Sequence, residues 1–402
     1  TPAQLTGTYT PGSDPSPSFF WEIQASPVGG SGTFSDEAAQ SPTFTPDTEG
    51  AYELNFTVDP ADAAAADDFA FLTSNPVPGP GDKLTSKLVT GLLPGTGSAD
   101  YTSAGFGTPD IVLIWITSQP NTVQGNSLSS FGILSSAGQG AIGIKSIDNV
   151  SPFDSSGAQK LGRSVIAPNT DGDALQESYT GTLITDGFSL AVAEAAISAR
   201  MVMALMIKGA VAVEQLAKPA NLNGKVVTSI RPDFVMAMTA STGTTADASQ
   251  GSVMSYGFAT SAKQANAAVE IGFNIDSDAR QRVSTDSIIY HASFANDWRI
   301  TTSNFVSNGF DVALSLGTPN TGDDVYYFVL ELLEPSNLDF GTSTYLPGSF
   351  QLRTNTDWQP GAGVNIFCND LDTYNVESDT TSMGLNAWGW DADGGVAGIG
   401  FQ

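Results

Sequence analysis

The chain of 402 residues has one cysteine and one histidine, and this shortage excludes several kinds of site. A lone cysteine cannot form a disulfide within the chain, and the run VNIFC around Cys368 predicts a small buried hydrophobic residue. Zinc is excluded because its sites need clusters of Cys or His ligands. Ser-His-acid catalysis needs an imidazole, and His291 occurs in only one of two repeated segments, so we expect a structural role for it. We therefore assign no catalytic residue and expect that the protein is not an enzyme.

Positive charge is also scarce, since 15 Lys and Arg face 42 Asp and Glu, a balance of 15 − 42 = −27. A phosphate backbone would be repelled, so nucleic acid is not an expected partner. The longest apolar stretch, from Met201 to Val213, is interrupted by Lys208 and Gly209. It falls short of the length that crosses a bilayer, and we expect no membrane insertion.

Glycine and proline are abundant, with 42 and 22 residues, while only 14% of the chain is charged. With Ser and Thr they separate apolar runs of about four to eight residues, a pattern typical of short strands joined by turns. The composition therefore predicts an all-β protein built from antiparallel sandwiches or jelly rolls.

The chain also repeats itself: Phe131 and Tyr256 are the middle residues of the same Ser-aromatic-Gly phrase, 256 − 131 = 125 positions apart. In the first copy the landmarks are Pro109-Asp110 before IVLIWIT, Ser130-Phe131-Gly132, Ile142-Gly143, Asp186-Gly187-Phe188 and MVMALMI from Met201. In the second they are Pro232-Asp233, Ser255-Tyr256-Gly257, Ile271-Gly272, Asn308-Gly309-Phe310 and VYYFVLEL from Val325; in the third, Pro360-Gly361, Ser382-Met383-Gly384 and Ile399-Gly400. A period of this length indicates duplicated domains and not the short units of a solenoid.

The Ala-rich segment from Ser189 to Glu214 would be helical by propensity alone. The matching stretch of the second copy carries Gly317, Pro319 and Gly322 and is rich in aromatic and β-branched residues. Duplicated segments share a backbone, so we predict two strands joined as a hairpin in both copies.

The first 59 residues form a separate unit with strand-like runs. The run from Tyr52 to Val58 alternates apolar and polar residues, which is the pattern of a half-buried strand. The phrase GTFSD from Gly32, PTFTPD from Pro42 and the Gly50, Tyr52, Leu54, Thr57-Val58 pattern resemble the PKD-type immunoglobulin-like domain. That resemblance implies a small β-sandwich that serves as a spacer or adhesion module.

The expected organisation has six parts. They are a PKD/Ig-like sandwich at 1–59, a Pro/Gly/Ala-rich linker at 60–81 that could include a short strand from Asp68 to Leu72, sandwich repeats at 82–218 and 219–334, a linker at 335–348 and a partial third repeat at 349–402. The third repeat is expected to be truncated, with its other strands supplied by a continuation past Gln402 or by another chain.

The repeats are similar to a domain of tailed-bacteriophage structural proteins. In that pattern a Pro-Asp strand is followed by aromatic-Gly, Ile-Gly, an Arg-Ser/Thr pair, (Asp/Asn)-Gly-Phe and a closing strand. Arg163-Ser164 supplies the pair in the first copy and the stretch from Arg282 to Thr285 in the second, while the third copy has Met383-Gly384 in place of aromatic-Gly. This resemblance implies a virion component.

Two candidate ligand sites lie in the third repeat. The turn at Asp391 and Asp393 could offer oxygen ligands to calcium, although the full spacing of a calcium loop is absent and a solvated acidic turn explains it as well. Trp388 and Trp390 could stack on a glycan, or fill a sandwich core. No other cofactor is implied.

The sequence thus predicts a structural virion protein of a tailed phage: a tail fibre, a tail appendage or a surface decoration. Its expected partners are other copies of itself and other virion proteins, with a host-surface glycan as a further candidate. One alternative is a secreted or cell-surface adhesin with glycan-binding sandwiches, and a second is a set of accessory β-domains of a larger hydrolase.

Overall fold

The structure is a computed structural model, and it confirms the all-β prediction: all regular secondary structure in the residues it describes is β-strand, in antiparallel sheets. It describes residues 3–5, 18–26, 31–45, 50–58, 66–74, 84–117, 126–147, 154–168, 175–194, 200–217, 223–240, 248–250, 252–271, 279–291, 297–318, 324–332, 338–342, 349–356, 359–368, 378–380, 385–391 and 396–399, and from Leu338 onward the backbone alone. No helix in these ranges is long and apolar enough to cross a membrane. The chain divides into two compact units, Thr1–Asp82 and Lys83–Gln402.

The N-terminal unit contains two three-stranded sheets around an aromatic core. Its strands are β1 (Ala3–Gln4), β2 (Phe19–Ala25), β3 (Thr33–Phe34), β4 (Thr43–Thr45), β5 (Gly50–Val58) and β6 (Ala66–Ser74), in the orders β1-β4-β3 and β2-β5-β6. The predicted alternation on β5 places Tyr52, Leu54 and Phe56 in the core, where Trp21 lies 4.6 Å from Phe56 between ring centroids.

Strand β6 differs from the sequence prediction, which placed residues 60–81 in an extended linker. This strand pairs with the whole of β5, from Val58 opposite Ala66 to Gly50 opposite Ser74. The Ala- and Asp-rich composition before it suggests a connector, but the open edge of β5 offers a row of backbone partners, and pairing with it outweighs composition. The candidate short strand from Asp68 to Leu72 lies inside β6.

The first sandwich consists of ten strands of its own. They are β7 (Thr85–Leu92), β8 (Ser98–Thr102), β9 (Ile111–Thr117), β10 (Asn126–Ser135), β11 (Gly138–Ile147), β12 (Asp154–Leu161), β13 (Val165–Pro168), β14 (Leu175–Ile184), β15 (Gly187–Glu194) and β16 (Met201–Lys208). The second sandwich follows with β17 (Ala210–Ala217), β18 (Gly224–Val227), β19 (Phe234–Ala240), β20 (Ala248–Gln250), β21 (Ser252–Ala259), β22 (Gln264–Ile271), β23 (Ala279–Ser284), β24 (Ile289–His291), β25 (Trp298–Val306), β26 (Gly309–Leu316) and β27 (Tyr326–Leu332).

The two sandwiches have the same topology, which confirms the tandem repeat. The seven-stranded sheets have the orders β20-β12-β11-β10-β9-β16-β7 and β31-β23-β22-β21-β19-β27-β17, and the four-stranded sheets have the orders β13-β14-β15-β8 and β24-β25-β26-β18, where β31 (Ser378–Thr380) comes from the third repeat. Inside each sandwich the two sheets share a core that includes Phe188 with Ile114 in the first and Phe310 with Val235 in the second.

Strand β17 shows where one sandwich ends and the next begins. It pairs with β27, in the position that β7 takes beside β16. The boundary therefore lies at Gly209 and not after Lys218, because the strand that continues the apolar run of the first copy already belongs to the second sheet.

The Ala-rich segment is in strands, as predicted, but it covers parts of three, β15, β16 and the start of β17, and β15 and β16 do not form the predicted hairpin. Strand β15 lies in the four-stranded sheet and β16 in the seven-stranded sheet, and β26 and β27 are divided in the same way. The connection crosses between the layers because each strand finds its backbone partners in a different sheet.

The third repeat is represented by a five-stranded sheet, hereafter the third sheet. Its strands are β28 (Leu338–Thr342), β29 (Ser349–Thr356), β30 (Gln359–Cys368), β32 (Leu385–Asp391) and β33 (Val396–Ile399), in the order β28-β29-β30-β32-β33. Strand β28 falls within the stretch that was expected to be a linker, 335–348. The third sheet lies against β7 and β16 of the first sandwich and against β22 and β23 of the second.

Candidate functional site: the interface between the first and second sandwiches

The central strands of the seven-stranded sheets are apolar on both faces. One face of each covers the inner core of its sandwich, and the other face meets the opposite sandwich in one continuous hydrophobic cluster. Strand β9 is an example, with Ile114 in the inner core and Leu113 in the shared cluster. A strand buried on both faces needs an uninterrupted apolar sequence, which is why IVLIWIT does not alternate.

The aromatic residues of the repeated Ser-aromatic-Gly phrase meet at the centre of this shared cluster. Phe131 and Tyr256 stack with their ring centroids 4.2 Å apart and their planes 18° from parallel. The Nε1 of Trp115 donates a hydrogen bond of 3.3 Å to the Tyr256 hydroxyl. Both copies use the same register, since Phe131 lies opposite Trp115 and Tyr256 opposite Met238, each five residues after the aspartate of the Pro-Asp pair.

The serine and the glycine of the phrase face the other way, towards the four-stranded sheets. The hydroxyl of Ser130 accepts a hydrogen bond from the N–H of Ile166 at 3.4 Å, and that of Ser255 accepts one from Tyr290 at 3.3 Å. The glycines make room for a backbone carbonyl, because a Cβ on Gly132 would lie 1.9 Å from the oxygen of Ser164. The phrase therefore joins the two sheets of a sandwich on one side and the two sandwiches on the other.

Each of the first two seven-stranded sheets also receives a strand from the following repeat. Strand β20 of the second copy adds to the edge of the first sheet, with Ser249 opposite Gly157, and β31 of the third copy adds to the second sheet, with Ser378 opposite Gln281. Each added strand comes from the segment between the Pro-Asp strand and the next long strand of its own sheet. Main-chain pairing of this kind covers an edge that would otherwise be open to other chains.

Two glutamines complete the contact between sandwiches. The Oε1 of Gln159 accepts a hydrogen bond of 3.0 Å from the N–H of Ala240, and the Nε2 of Gln215 donates one of 3.1 Å to the carbonyl of Gln139. Because these bonds use backbone groups at the sheet interface, they fix the relative register of the two sandwiches.

The aspartate of the Pro-Asp landmark holds the end of the closing strand. The Oδ2 of Asp110 accepts hydrogen bonds from the N–H groups of Gly209 at 2.6 Å and Ala210 at 3.0 Å, at the junction between the sandwiches. In the second copy the Oδ2 of Asp233 accepts a bond of 2.8 Å from the N–H of Leu332. Carboxylate acceptors make stronger bonds than neutral ones, which explains an acid at this position.

Replacing Asp110 by alanine is expected to lower the free energy of unfolding by about 1 to 3 kcal/mol, because two backbone donors lose a charged acceptor. The control is Asp100→Ala on exposed β8, which should change stability by about 0.5 kcal/mol or less. Urea denaturation of both variants measures the difference. Equal values for Asp110→Ala and Asp100→Ala would contradict the assigned role.

Other motifs did not align as the sequence suggested. The residue opposite Phe131 is Ile142, whereas the one opposite Tyr256 is Ala267, so Ile271 lies four positions past the structural counterpart of Ile142. Arg163 lies between β12 and β13, but Arg282 lies within β23, opposite Ala268. Two-residue pairs such as Ile-Gly and Arg-Ser are too short to identify equivalent positions on their own.

One polar position that sequence reasoning missed is a glutamine eight residues after each aromatic. Gln139 accepts a hydrogen bond of 2.7 Å from the N–H of Gly181, and Gln264 accepts one of 2.8 Å from Thr302. Each bond joins the two sheets of one sandwich. The equal spacing from Phe131 and Tyr256 was a signal that could have identified these residues.

His291 ends β24 inside the second sandwich. It is buried, and its ring stacks on Trp298 with centroids 4.7 Å apart. This packing gives the side chain a place in the core.

A charged cluster lies at one end of the second sandwich. Arg299 Nη1 contacts Asp286 Oδ2 at 2.6 Å, and Arg282 contacts the same oxygen at 3.4 Å with its guanidinium 4.4 Å from the centre of the Tyr290 ring. Burial raises the pKa of Asp286, but the Ser284 hydroxyl and the two arginines together outweigh burial and hold that pKa below its usual value. The first sandwich has a buried pair instead, Arg200 with Glu177 at 2.6 Å. These ion pairs have the geometry of structural contacts.

The candidate ligand residues of the third repeat are described by their backbone alone or lie outside the described ranges. Trp388 and Trp390 lie on β32 and Asp391 ends it, but their side chains are outside the described part, as is all of Asp393. Ser382-Met383-Gly384 also lies outside the described residues, and Cys368 ends β30. Within the described ranges, no group of three or more His, Cys, Asp or Glu residues could hold a metal ion.

Tyr327 of β27 has a fully buried hydroxyl with no hydrogen-bond partner among the described residues. Burial raises the pKa of this phenol. Tyr327→Phe is therefore expected to stabilise the protein by about 1 kcal/mol, because it removes a desolvated polar group without changing the packing. The measurement is urea denaturation.

The control for this change is Tyr290→Phe in the same sandwich, whose hydroxyl donates a bond of 2.9 Å to Asp297. That variant should lose about 1 to 3 kcal/mol, since the acceptor is charged. Destabilisation by Tyr327→Phe would show that its hydroxyl is bonded in solution.

No protein-family model, curated protein or solved structure matches the chain. The resemblances to the PKD-type domain and to phage structural domains therefore stay predictions.

Proposed function

We propose that the chain is a structural component of a tailed-phage virion, in a fibre, a tail appendage or a surface decoration. It acts through assembly contacts with copies of itself and with other virion proteins, and the proposal assigns it no catalytic activity. The observation that carries the proposal is the shared cluster between the sandwiches, with Phe131 stacked on Tyr256 at its centre.

The nature of that cluster favours a building block over independent binding modules. Domains that only share a chain usually meet through modest, polar interfaces and move relative to one another. Here the two sandwiches share a hydrophobic core, and the second copy adds a strand to the sheet of the first, so the repeated domains form one stiff body. Stiffness and repeated surfaces are what a protein needs to set distances within a particle.

Location is the decisive test. Antibodies against the purified chain are applied to particles from a lysate of the source culture and located by immunogold electron microscopy, with the chain sought in the same particles by mass spectrometry. We expect gold at one defined position on each particle. Label confined to the cell envelope would instead support the adhesin alternative, and label only in the soluble fraction would contradict both.

A further inference from the structure

One hairpin turn of the second sandwich places a lysine on the side chain of an asparagine. The turn joins β25 to β26 at Ser307 and Asn308, and both residues are exposed. The Nζ of Lys225, from β18, donates a hydrogen bond of 2.6 Å to the Oδ1 of Asn308. The next residue is Gly309, so the turn carries an Asn-Gly sequence, one of two in the chain.

Gly309 makes this contact possible. A Cβ at this position would lie 2.7 Å from the Cε of Lys225. The stem of Lys225 therefore passes over Gly309 where a side chain would otherwise lie, and its ammonium reaches the amide of the preceding residue. Glycine is the residue that allows such a close approach.

The first sandwich has an aspartate at the equivalent position of its own turn. The carbonyl of Asp186 accepts a hydrogen bond of 2.8 Å from the N–H of Ser103. The carbonyl of Asn308 accepts one of 3.1 Å from the N–H of Thr228. The two turns are held in the same way, so the repeated fold accommodates an acid here, and in the second copy that acid would face Lys225.

We infer that Asn308 is a site of spontaneous modification, where Lys225 assists the conversion of the asparagine to aspartate. The backbone nitrogen of Gly309 gives up its proton and attacks the side-chain carbonyl carbon of Asn308. A cyclic imide forms, and the amide nitrogen leaves as ammonia with that proton. Water then opens the imide and restores the backbone, so the net reaction is hydrolysis of the amide to a carboxylate. A glycine favours the first step because no Cβ obstructs the approach of its nitrogen.

Lys225 favours both the reaction and its product. As the nitrogen of Gly309 attacks, negative charge develops on the Oδ1 of Asn308, the atom that the Lys225 ammonium already contacts. A donor aimed at a developing oxyanion lowers the barrier, and a charged donor makes the stronger bond. The carboxylate that results forms an ion pair with the same ammonium, between β18 and the turn.

The other Asn-Gly sequence, Asn223-Gly224, lacks this arrangement. The Oδ1 of Asn223 accepts a hydrogen bond of 2.8 Å from the N–H of Leu314, on β26. That neutral donor belongs to strand backbone, which cannot follow the side chain towards Gly224 as a lysine can follow Asn308. Both sequences offer the same nucleophile, so a comparison of the two isolates the effect of the surroundings.

The experiment is incubation of the full chain at neutral pH and physiological temperature for several weeks, with peptide mass spectrometry at intervals. Digestion in heavy-oxygen water separates conversion during incubation from conversion during digestion. We expect Asn308 to convert at least about fivefold faster than Asn223 in the folded chain. In urea the two rates should be similar, because only the shared Asn-Gly sequence then acts. Equal rates in the folded chain would overturn the inference.

Two variants of the exposed Lys225 test the part that the ammonium plays. Lys225→Met keeps the stem but removes the charge, so it should slow the conversion of Asn308 severalfold and leave that of Asn223 unchanged. Lys225→Arg is the matched control, since it keeps a charged donor and should convert at close to the wild-type rate. An unchanged rate in Lys225→Met would also overturn the inference. These rates are independent of location in a virion, which the immunogold experiment measures separately.

Discussion

Tyr256→Ala is expected to destabilise the first and second sandwiches together, by about 3 to 5 kcal/mol for the lost aromatic volume. Tyr256 is fully buried between them, stacked on Phe131 and bonded to the indole N–H of Trp115. Truncation opens a cavity on both sides of the interface and leaves a buried donor without its acceptor, which costs about 1 to 3 kcal/mol more. The loss is shared because neither sandwich can close its outer face alone.

Guanidinium denaturation measures the size of this effect, and hydrogen exchange read by mass spectrometry locates it. Exchange should accelerate in β9, β10 and β11 of the first sandwich as well as in β19 and β21 of the second. Tyr256→Phe, which keeps the ring and removes the hydroxyl that accepts the hydrogen bond from Trp115, should cost about 1 to 3 kcal/mol and serves as the matched control. Faster exchange in the second sandwich alone would show that the two fold independently.

The repeat was the part of the fold that the sequence predicted best. Local propensity favours a helix in the Ala-rich segment, but comparison with the second copy correctly indicated strands β15 and β16. The comparison of the two copies could not show whether consecutive strands pair in one sheet or lie in different sheets. The connection from Glu194 to Met201 is long enough for either outcome, and the backbone partners that decide it are distant in sequence.

The addition of a strand to the sheet of the preceding copy could not be predicted from the local sequence. Strand β20 has three residues, Ala248–Gln250, in a stretch rich in Ser, Thr and Gly that carries no alternation. It is a strand only because β12 of the preceding copy offers it an edge. The same reasoning applies to β6, whose partner β5 converts an expected linker into the third strand of a sheet.

The candidate site was visible in the sequence as a landmark but not as an interface. The repeated Ser-aromatic-Gly phrase identifies equivalent positions, yet it does not say which way each side chain faces. The apolar run IVLIWIT held the missing information, since a strand without alternation is buried on both faces. Combined with the repeat, that run implies that the second face meets another copy, and this step links Phe131 to Tyr256.

Gly132→Ala is expected to be among the most damaging small substitutions, with a loss of about 3 kcal/mol or more. The Cβ it introduces would lie 1.9 Å from the carbonyl oxygen of Ser164, and the equivalent atom on Gly257 would lie 2.1 Å from the oxygen of Ile288. Both oxygens belong to backbone immediately before an edge strand of the facing sheet, β13 or β24, and backbone cannot rotate away as a side chain can. The two sheets of the sandwich would have to separate, so the inner core would loosen along with the carbonyl contact.

Gly95→Ala is the matched control, because a Cβ at Gly95 meets nothing within 4 Å and its backbone needs no left-handed conformation. That variant should be neutral, or more stable by about 0.4 to 1 kcal/mol through the reduced freedom of its unfolded chain. Guanidinium denaturation of Gly132→Ala, Gly257→Ala and Gly95→Ala separates steric exclusion from the general effect of replacing glycine. If Gly132→Ala and Gly257→Ala were as stable as Gly95→Ala, the two sheets could not lie as close together as described. Steric exclusion would then not explain the glycine of the repeated phrase.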